Sequence, residues 1–300
     1  MNMASSRFFE KSLCRTIFMN EPAHGDWARV IDPTPYPELN TVLRDLVVNV
    51  RVALGDSFIG AYLQGSFAVG DFDADSDVDF VIAVRDELTD TQIVALQAIH
   101  KRIYDLPSEW AKHLEGSYFP IAILRDYNRS GLRLWYLDHG AHALVRSDHC
   151  NTVPVRWIVR ENGVTLDGPN PATLVDSIPT DILRQHIARA ISDWGREIVD
   201  APDRYRNRFY QGFIVLNLSR MLHDLVAGRV GSKRAGANWA KSTFDPKWSP
   251  LIDRAWSCRP DPAVSVREPA NPADFAGTLD FVAFIVDRSK RYTLDDEVAS

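Results

Sequence analysis

Apolar residues recur at helical spacing from Leu39 through Val42, Leu43, Leu46 and Val47 to Val50, and Gly55 closes the pattern. The spacing predicts a helix, entered through the proline-rich stretch "DPTPYPE". A short apolar and aromatic run, "FIGAYLQ", then reads as a strand, followed by a "GS" turn and an acidic loop. "VDFVIAV" is continuously apolar apart from one carboxylate, the pattern of a strand buried on both faces. "LTDTQIVALQAIHKRIYDL" returns to helical periodicity, with Thr89 or Asp90 as its N-cap, and "HLE" leads into a further strand, "SYFPIAIL". Helices and strands alternating in this way predict an α/β layering.

The pattern loosens from Leu132 to Pro171, where "LRLWYL" and "RWIVREN-GVTL" read as strands or irregular cover. Pro169, Pro171 and Pro179 punctuate the next stretch, so a domain boundary is expected there. Beyond it helical patterns dominate. One starts from a Thr180 or Asp181 cap, and "RFYQGFIVLNLSRMLHDLVAG" is apolar on a wide face and closes at Gly228. Further helices are expected over 247–257 and 272–290, on either side of a proline-rich loop. The expected division is an extension over 1–34, a mixed-sheet domain over 35–175 and a helical bundle over 176–300, an α+β chain as a whole.

Composition narrows the function. With 300 residues, 45% hydrophobic and 25% charged, the chain has ample material for a core. A formal net charge of −6 argues against a general nucleic-acid-binding surface. Cys14, Cys150 and Cys258 are odd in number and far apart, which predicts no disulfide framework and a cytoplasmic location. No apolar run is long enough to span a bilayer, and the N-terminus lacks the continuous apolar stretch of a signal peptide.

The chemistry concentrates at "GAYLQGSFAVGDFDADSDVDFVIAV" (60–84). Alternate strand residues share a face, so Asp77 and Asp79 stand side by side at the mouth of a buried strand. Two carboxylates so placed repel each other unless a cation lies between them, and a few hard oxygen ligands suit Mg²⁺. Upstream, Gly65 and Ser66 form a small turn able to approach phosphate oxygens, while Asp71, Asp73 and Asp75 read as loop solvation. Such chemistry calls for a third carboxylate. Glu115, opening the next strand, is the leading candidate, and Asp105, Glu109 and Asp126 are rivals on spacing. The combination Gly65-Ser66, ten residues, Asp77-Val-Asp79 resembles the nucleotidyltransferase signature of the DNA polymerase β superfamily.

A narrower resemblance lies in "LNLSRMLHDLVAGRVGSKRAGANWA" (216–240). Ser219, Arg220, Gly228, Lys233 and Trp239 stand where streptomycin/spectinomycin 3″-type (AadA-like) aminoglycoside adenylyltransferases carry a "LSR" helix, a glycine turn, a lysine and a tryptophan. "LDGPNPATLVDSIPTDIL" (166–183) echoes further segments of that group. The resemblance implies an Mg²⁺-dependent transfer of AMP from ATP to a hydroxyl of a small, cationic aminoglycoside or aminocyclitol. It implies Arg220 and Lys233 on the ATP phosphates and Glu115 as catalytic base. The family's drug-binding acids precede the "SR" arginine, yet "NRFYQGFIVLN" holds no acid here. The segment 127–162 carries His139, His142 and His149 in no recognised zinc spacing, so these read as satisfied or solvated polar residues. A protein or other acceptor, and a nucleotide-binding regulator without turnover, are the alternative readings.

Overall fold

In a computed structural model, residues 32–259 and 262–292 are described, and they belong to one compact unit. The expected extension over 1–34 falls outside the described residues except at its end. There Thr34 is buried and its hydroxyl donates to Asn40 Oδ1 at 2.7 Å, tying the chain to the first helix.

The chain runs through α1 (Pro37–Leu54), β1 (Phe58–Leu63), α2 (Gly65–Val69), β2 (Val78–Val84), α3 (Asp90–Tyr104), β3 (Leu114–Pro120) and α4 (Ile121–Arg125). It continues through β4 (Leu134–Leu137), β5 (Leu144–Ser147), α5 (Val153–Asn162) and β6 (Val164–Asp167). Five longer or shorter helices, α6 (Thr180–Asp200), α7 (Arg208–Ala227), α8 (Lys233–Thr243), α9 (Ser249–Ser257) and α10 (Pro262–Ser265), lead to α11 (Pro272–Ser289). The six strands form one sheet in the order β5-β4-β3-β2-β1-β6. Among the described strands only β2 and β3 pair in parallel, so the sheet is mixed, as the resemblance implies. A parallel pair needs a crossover, and α3 supplies it, started by Thr89 and Gln92 in a reciprocal capping box.

The two central strands are the most buried, which explains the apolar run that only Asp79 interrupts in β2. Leu39, Leu43, Leu46 and Val50 of α1 lie with Phe80 and Ile82 in one apolar cluster on one face of the sheet. Tyr62, Val81, Ala83 and Phe119 face the other way, against Val159 of α5. A third cluster joins α6, α7, α8, α9 and α11, the helical assembly that the second half of the sequence predicts. No helix among the described residues is long and apolar enough to cross a membrane.

Three local expectations differ from the structure. "SYFPIAIL" is a strand only to Pro120, because proline lacks the N–H that would continue the ladder, and Ile121 begins α4. "RWIVREN" is helical, started by the Thr152 side chain, which accepts from Val155 N at 3.3 Å. Its Arg156 is fully buried and donates to the carbonyls of Ile123 and Leu124 at 2.8 and 3.2 Å. Helix α6 takes Pro179, not Thr180 or Asp181, as its N-cap.

His100 of α3 is buried beneath β3, with Nε2 2.7 Å from the Tyr118 hydroxyl. Burial pushes its pKa down from 6.5 to about 4. The folded state therefore holds His100 neutral where the unfolded chain protonates it. Stability contributed by the neutral ring is intact above pH 6.5 and is lost as pH falls toward 4. At 1.36 kcal/mol per unit the loss amounts to roughly 3 kcal/mol. Urea unfolding at pH 7 and pH 4.5 measures it: His100→Gln is expected to show a markedly smaller drop between the two than the native chain.

Candidate functional site

The site assembles where β2 and β3 begin. Val78 N donates to His113 O at 2.8 Å and starts the parallel ladder, in which Asp79 pairs with Glu115. Paired residues of parallel strands project to the same face, so the two carboxylates are neighbours. Asp77, one step before β2, faces the same space. Of the four acids weighed for the third position, Glu115 is the one this register brings to the aspartates.

Electrostatics record how crowded the three acids are. Burial first, then the charges of Glu115 and Asp77, push the Asp79 carboxyl well above the ordinary range. Burial also raises Asp77, helped by Glu115 and opposed by His139. Glu115 goes the other way. Burial would lift it, but hydrogen bonds from His149 and Tyr136 outweigh that and hold it below the usual value. The Tyr136 hydroxyl lies 2.7 Å from Glu115 Oε1 and 2.9 Å from Asp138 Oδ1, and its single proton serves one carboxylate at a time. His149 Nε2 is 3.4 Å from the same Glu115 oxygen. One acid is thus held ionised by donors, while at the adjacent pair burial and mutual repulsion outweigh the nearby His139 and Lys233. Such a pair of hard oxygen donors fits a divalent cation of the Mg²⁺ type.

The expected "GS" turn is the opening of the short helix α2. Gln64 N donates to Asp79 O at 2.9 Å, which fixes this opening against β2. Gly65 has φ +60°, and a Cβ there would collide with the Asp79 carboxylate. Glycine is therefore required twice over: by the left-handed backbone and by the contact with the acid.

Cations arrive from the helical half. Lys233, the first residue of α8, sits close enough to Asp77 and Asp79 for their charges to raise its pKa. Burial and Arg220 outweigh them and lower it overall. Its ammonium lies 5.3 Å from the Phe213 ring centre. Arg220 of α7 is beside Lys233, held by Asn217 Oδ1 at 3.3 Å and 3.8 Å from the buried Asp224. Gly236 makes this close approach possible, since a Cβ there would strike the Arg220 backbone. Gly65, Ser66, Asp77, Asp79, Glu115, Arg220 and Lys233, scattered over 169 positions of sequence, thus belong to one region of space.

What holds α8 in place was read in the sequence as mere solvation. Asp71 accepts from Arg234 Nε at 2.7 Å, and Asp73 receives a bidentate pair from Arg259 at 2.7 and 2.9 Å. The Arg259 hydrogen bonds lead in holding the Asp73 carboxyl below its ordinary pKa. Both guanidinium groups stack on Trp256, at 4.9 and 4.6 Å from its ring centre. The acidic loop is thereby clamped to α8 and to the segment after α9, and only Asp75 among its three early acids is left exposed. By spacing alone the histidines of 127–162 read as satisfied or solvated polar residues. Instead, His139 Nε2 is 3.3 Å from Asp77 Oδ1, and His149 braces Glu115. Sequence spacing carries no sign of this, because the turn after β4 that delivers His139 and the turn after β5 that delivers His149 are positioned by sheet order.

The chain is similar to several known proteins. Residues 173–271 match the family model of the aminoglycoside adenylyltransferase C-terminal domain. An aminoglycoside (3'') (9) adenylyltransferase of Klebsiella pneumoniae is 30% identical over 93 residues, 31% of this chain and 33% of that protein. The match thus spans about a third of the length of that relative. A spectinomycin 9-adenylyltransferase of Staphylococcus aureus is 24% identical over 222 residues, 69% of this chain and 79% of the relative. Among solved structures, the spectinomycin adenyltransferase AAD(9) from Enterococcus faecialis with ATP and spectinomycin superposes with a TM-score of 0.61 at 16% identity. The superposition covers 83% of this chain and 98% of that one. The α+β nucleotidyltransferase fold and the likeness to aminoglycoside adenylyltransferases, both read from the sequence, are borne out.

Proposed function

We propose that this chain is an adenylyltransferase that moves AMP from ATP to a hydroxyl of a small cationic acceptor of the aminoglycoside or aminocyclitol class. The observation that carries the reading is the juxtaposition of Asp77, Asp79 and Glu115 with Lys233 delivered by α8. Asp77 and Asp79 would hold Mg²⁺, which when bound neutralises charge on the reacting phosphoryl group and on the departing pyrophosphate. Lys233 and Arg220 present cations to the triphosphate, Lys233 as a point charge and Arg220 as a planar fork. Gly65 and Ser66 lie next to Asp79 and offer small, close backbone and a hydroxyl to phosphate oxygens.

Glu115 is the base. The donors on its Oε1 keep it ionised, so it can accept the acceptor hydroxyl's proton as that oxygen bonds to the α-phosphorus. The bond from the α-phosphorus to its bridging oxygen breaks, and pyrophosphate leaves with the electron pair. Asp138 is exposed beside Tyr136 and Glu115, and we assign it the acceptor's ammonium group, a role that the acid-free start of α7 does not fill. A cytoplasmic location accords with use of ATP.

The test is direct. Purified protein with Mg²⁺ and ATP is expected to release pyrophosphate when streptomycin or spectinomycin is added, and to give a drug product heavier by one AMP. Silence with both compounds, together with labelled AMP on a protein in a cell lysate, would move the assignment to a protein acceptor.

A further inference from the structure

We propose that Asp77, His113 and His139 form a second metal position, selective for a borderline first-row divalent cation such as Zn²⁺ over Mg²⁺. Each of the three offers a ligand atom, and these atoms all lie within 4.8 Å of one another. His139 Nε2 and Asp77 Oδ1 are already 3.3 Å apart. Neighbouring ligands of a tetrahedral ion with bonds of about 2.1 Å stand roughly 3.4 Å apart, so this edge needs almost no adjustment. The two imidazoles meet edge to face with ring centres 5.2 Å apart. Closing the site takes a small rotation of the rings, and both are only half-buried.

The backbone holds the three elements together independently of any ion. Val78 N donates to His113 O, next to Asp77, at 2.8 Å, and Gly140 N, next to His139, donates to Lys112 O at 2.9 Å. His113 N in turn donates to Trp110 O at 3.2 Å, completing the turn that presents its ring. Among the described residues, the His113 Nδ1 atom is buried and has no hydrogen-bond partner, a cost that the rest of the site does not explain.

The donor set decides the ion. Two imidazole nitrogens and one carboxylate oxygen suit Zn²⁺, Co²⁺ or Mn²⁺, whereas Mg²⁺ prefers oxygen and keeps its water. A carboxylate has two oxygens, so Asp77 can serve this position and the Asp77–Asp79 pair together. The proposal depends on these side chains alone, and its test is separable from the transfer reaction.

The experiment is a Co²⁺ titration of the full chain in excess Mg²⁺, read by visible absorption, with Zn²⁺ as the competitor. One equivalent of Co²⁺ is expected to give the intensified bands of a low-coordinate nitrogen–oxygen site, which one equivalent of Zn²⁺ erases. Even residues that merely support a ligand change metal affinity by 10–100-fold, so His139→Ala and His113→Ala should each weaken Zn²⁺ by at least about 10-fold. Circular dichroism checks the variants. The His139 side chain is 31% exposed, so its loss should leave the fold intact and decide the matter even if His113→Ala unfolds. No Co²⁺ bands in the native chain, unchanged affinity in His139→Ala, or the ultraviolet charge-transfer band of a cysteine ligand would each overturn the proposal.

Discussion

Asp79→Asn is expected to lower kcat/KM for AMP transfer by at least about 10³-fold and, in the same protein, to raise the unfolding midpoint measured without divalent metal. The first effect follows from removing half of the oxygen pair that would hold Mg²⁺. A metal's charge stabilisation is worth several kcal/mol, and each 1.36 kcal/mol is tenfold in rate. The second follows from crowding. Burial and the charges of Glu115 and Asp77 already press on Asp79 hard enough to raise its pKa despite the nearby Lys233. The amide has nearly the carboxylate's shape and no charge, so it relieves that repulsion without opening a cavity. Opposite signs in activity and stability are the signature of a group placed for chemistry. Parallel losses of both would mean that Asp79 is a structural residue and would sink its assignment.

Glu115→Gln should lower kcat by about 10²–10⁴-fold, the range lost with a general base, and leave the KM for ATP and the Mg²⁺ requirement nearly unchanged. The amide oxygen can still accept from Tyr136, so the side chain should keep its place beside Asp79. What it loses is the ability to take a proton. Steady-state kinetics over ATP and over acceptor, with pyrophosphate release as the readout, separate these terms. A rise in the Mg²⁺ requirement at constant kcat would instead make Glu115 a metal ligand.

These two variants probe residues visible in the sequence for different reasons. Asp77 and Asp79 stand out locally, because carboxylates interrupt an apolar run and strand alternation puts them on one face. Glu115 leads the candidates for the third acid in the sequence, but spacing alone leaves Asp105, Glu109 and Asp126 as rivals. Register chose it: parallel pairing of β2 with β3 sets Asp79 opposite Glu115, whereas Asp105, Glu109 and Asp126 lie outside the strand. Arg220 and Lys233 were placed through resemblance, and it is the packing of α8 on α7 that puts them beside each other.

The sequence by itself determined the elements whose signals are local. The helical period of α1, the capping box of α3, the glycine that ends α7 and the apolar runs of β2 and β3 are each written within a few residues. It failed where a segment's conformation depends on what it packs against. "RWIVREN" has strand-like residues but is a helix, and its Arg156 is buried against carbonyls supplied from 32 and 33 positions away. The same limit hid the clamp of Asp71 and Asp73 on Arg234 and Arg259, the bracing of Glu115 by His149 and Tyr136, and the meeting of Asp77 with His113 and His139. Each joins residues that share no periodicity and no short spacing. Only the sheet order and the docking of the helices bring them within a few ångströms, where charge and hydrogen bonding become strong enough to matter.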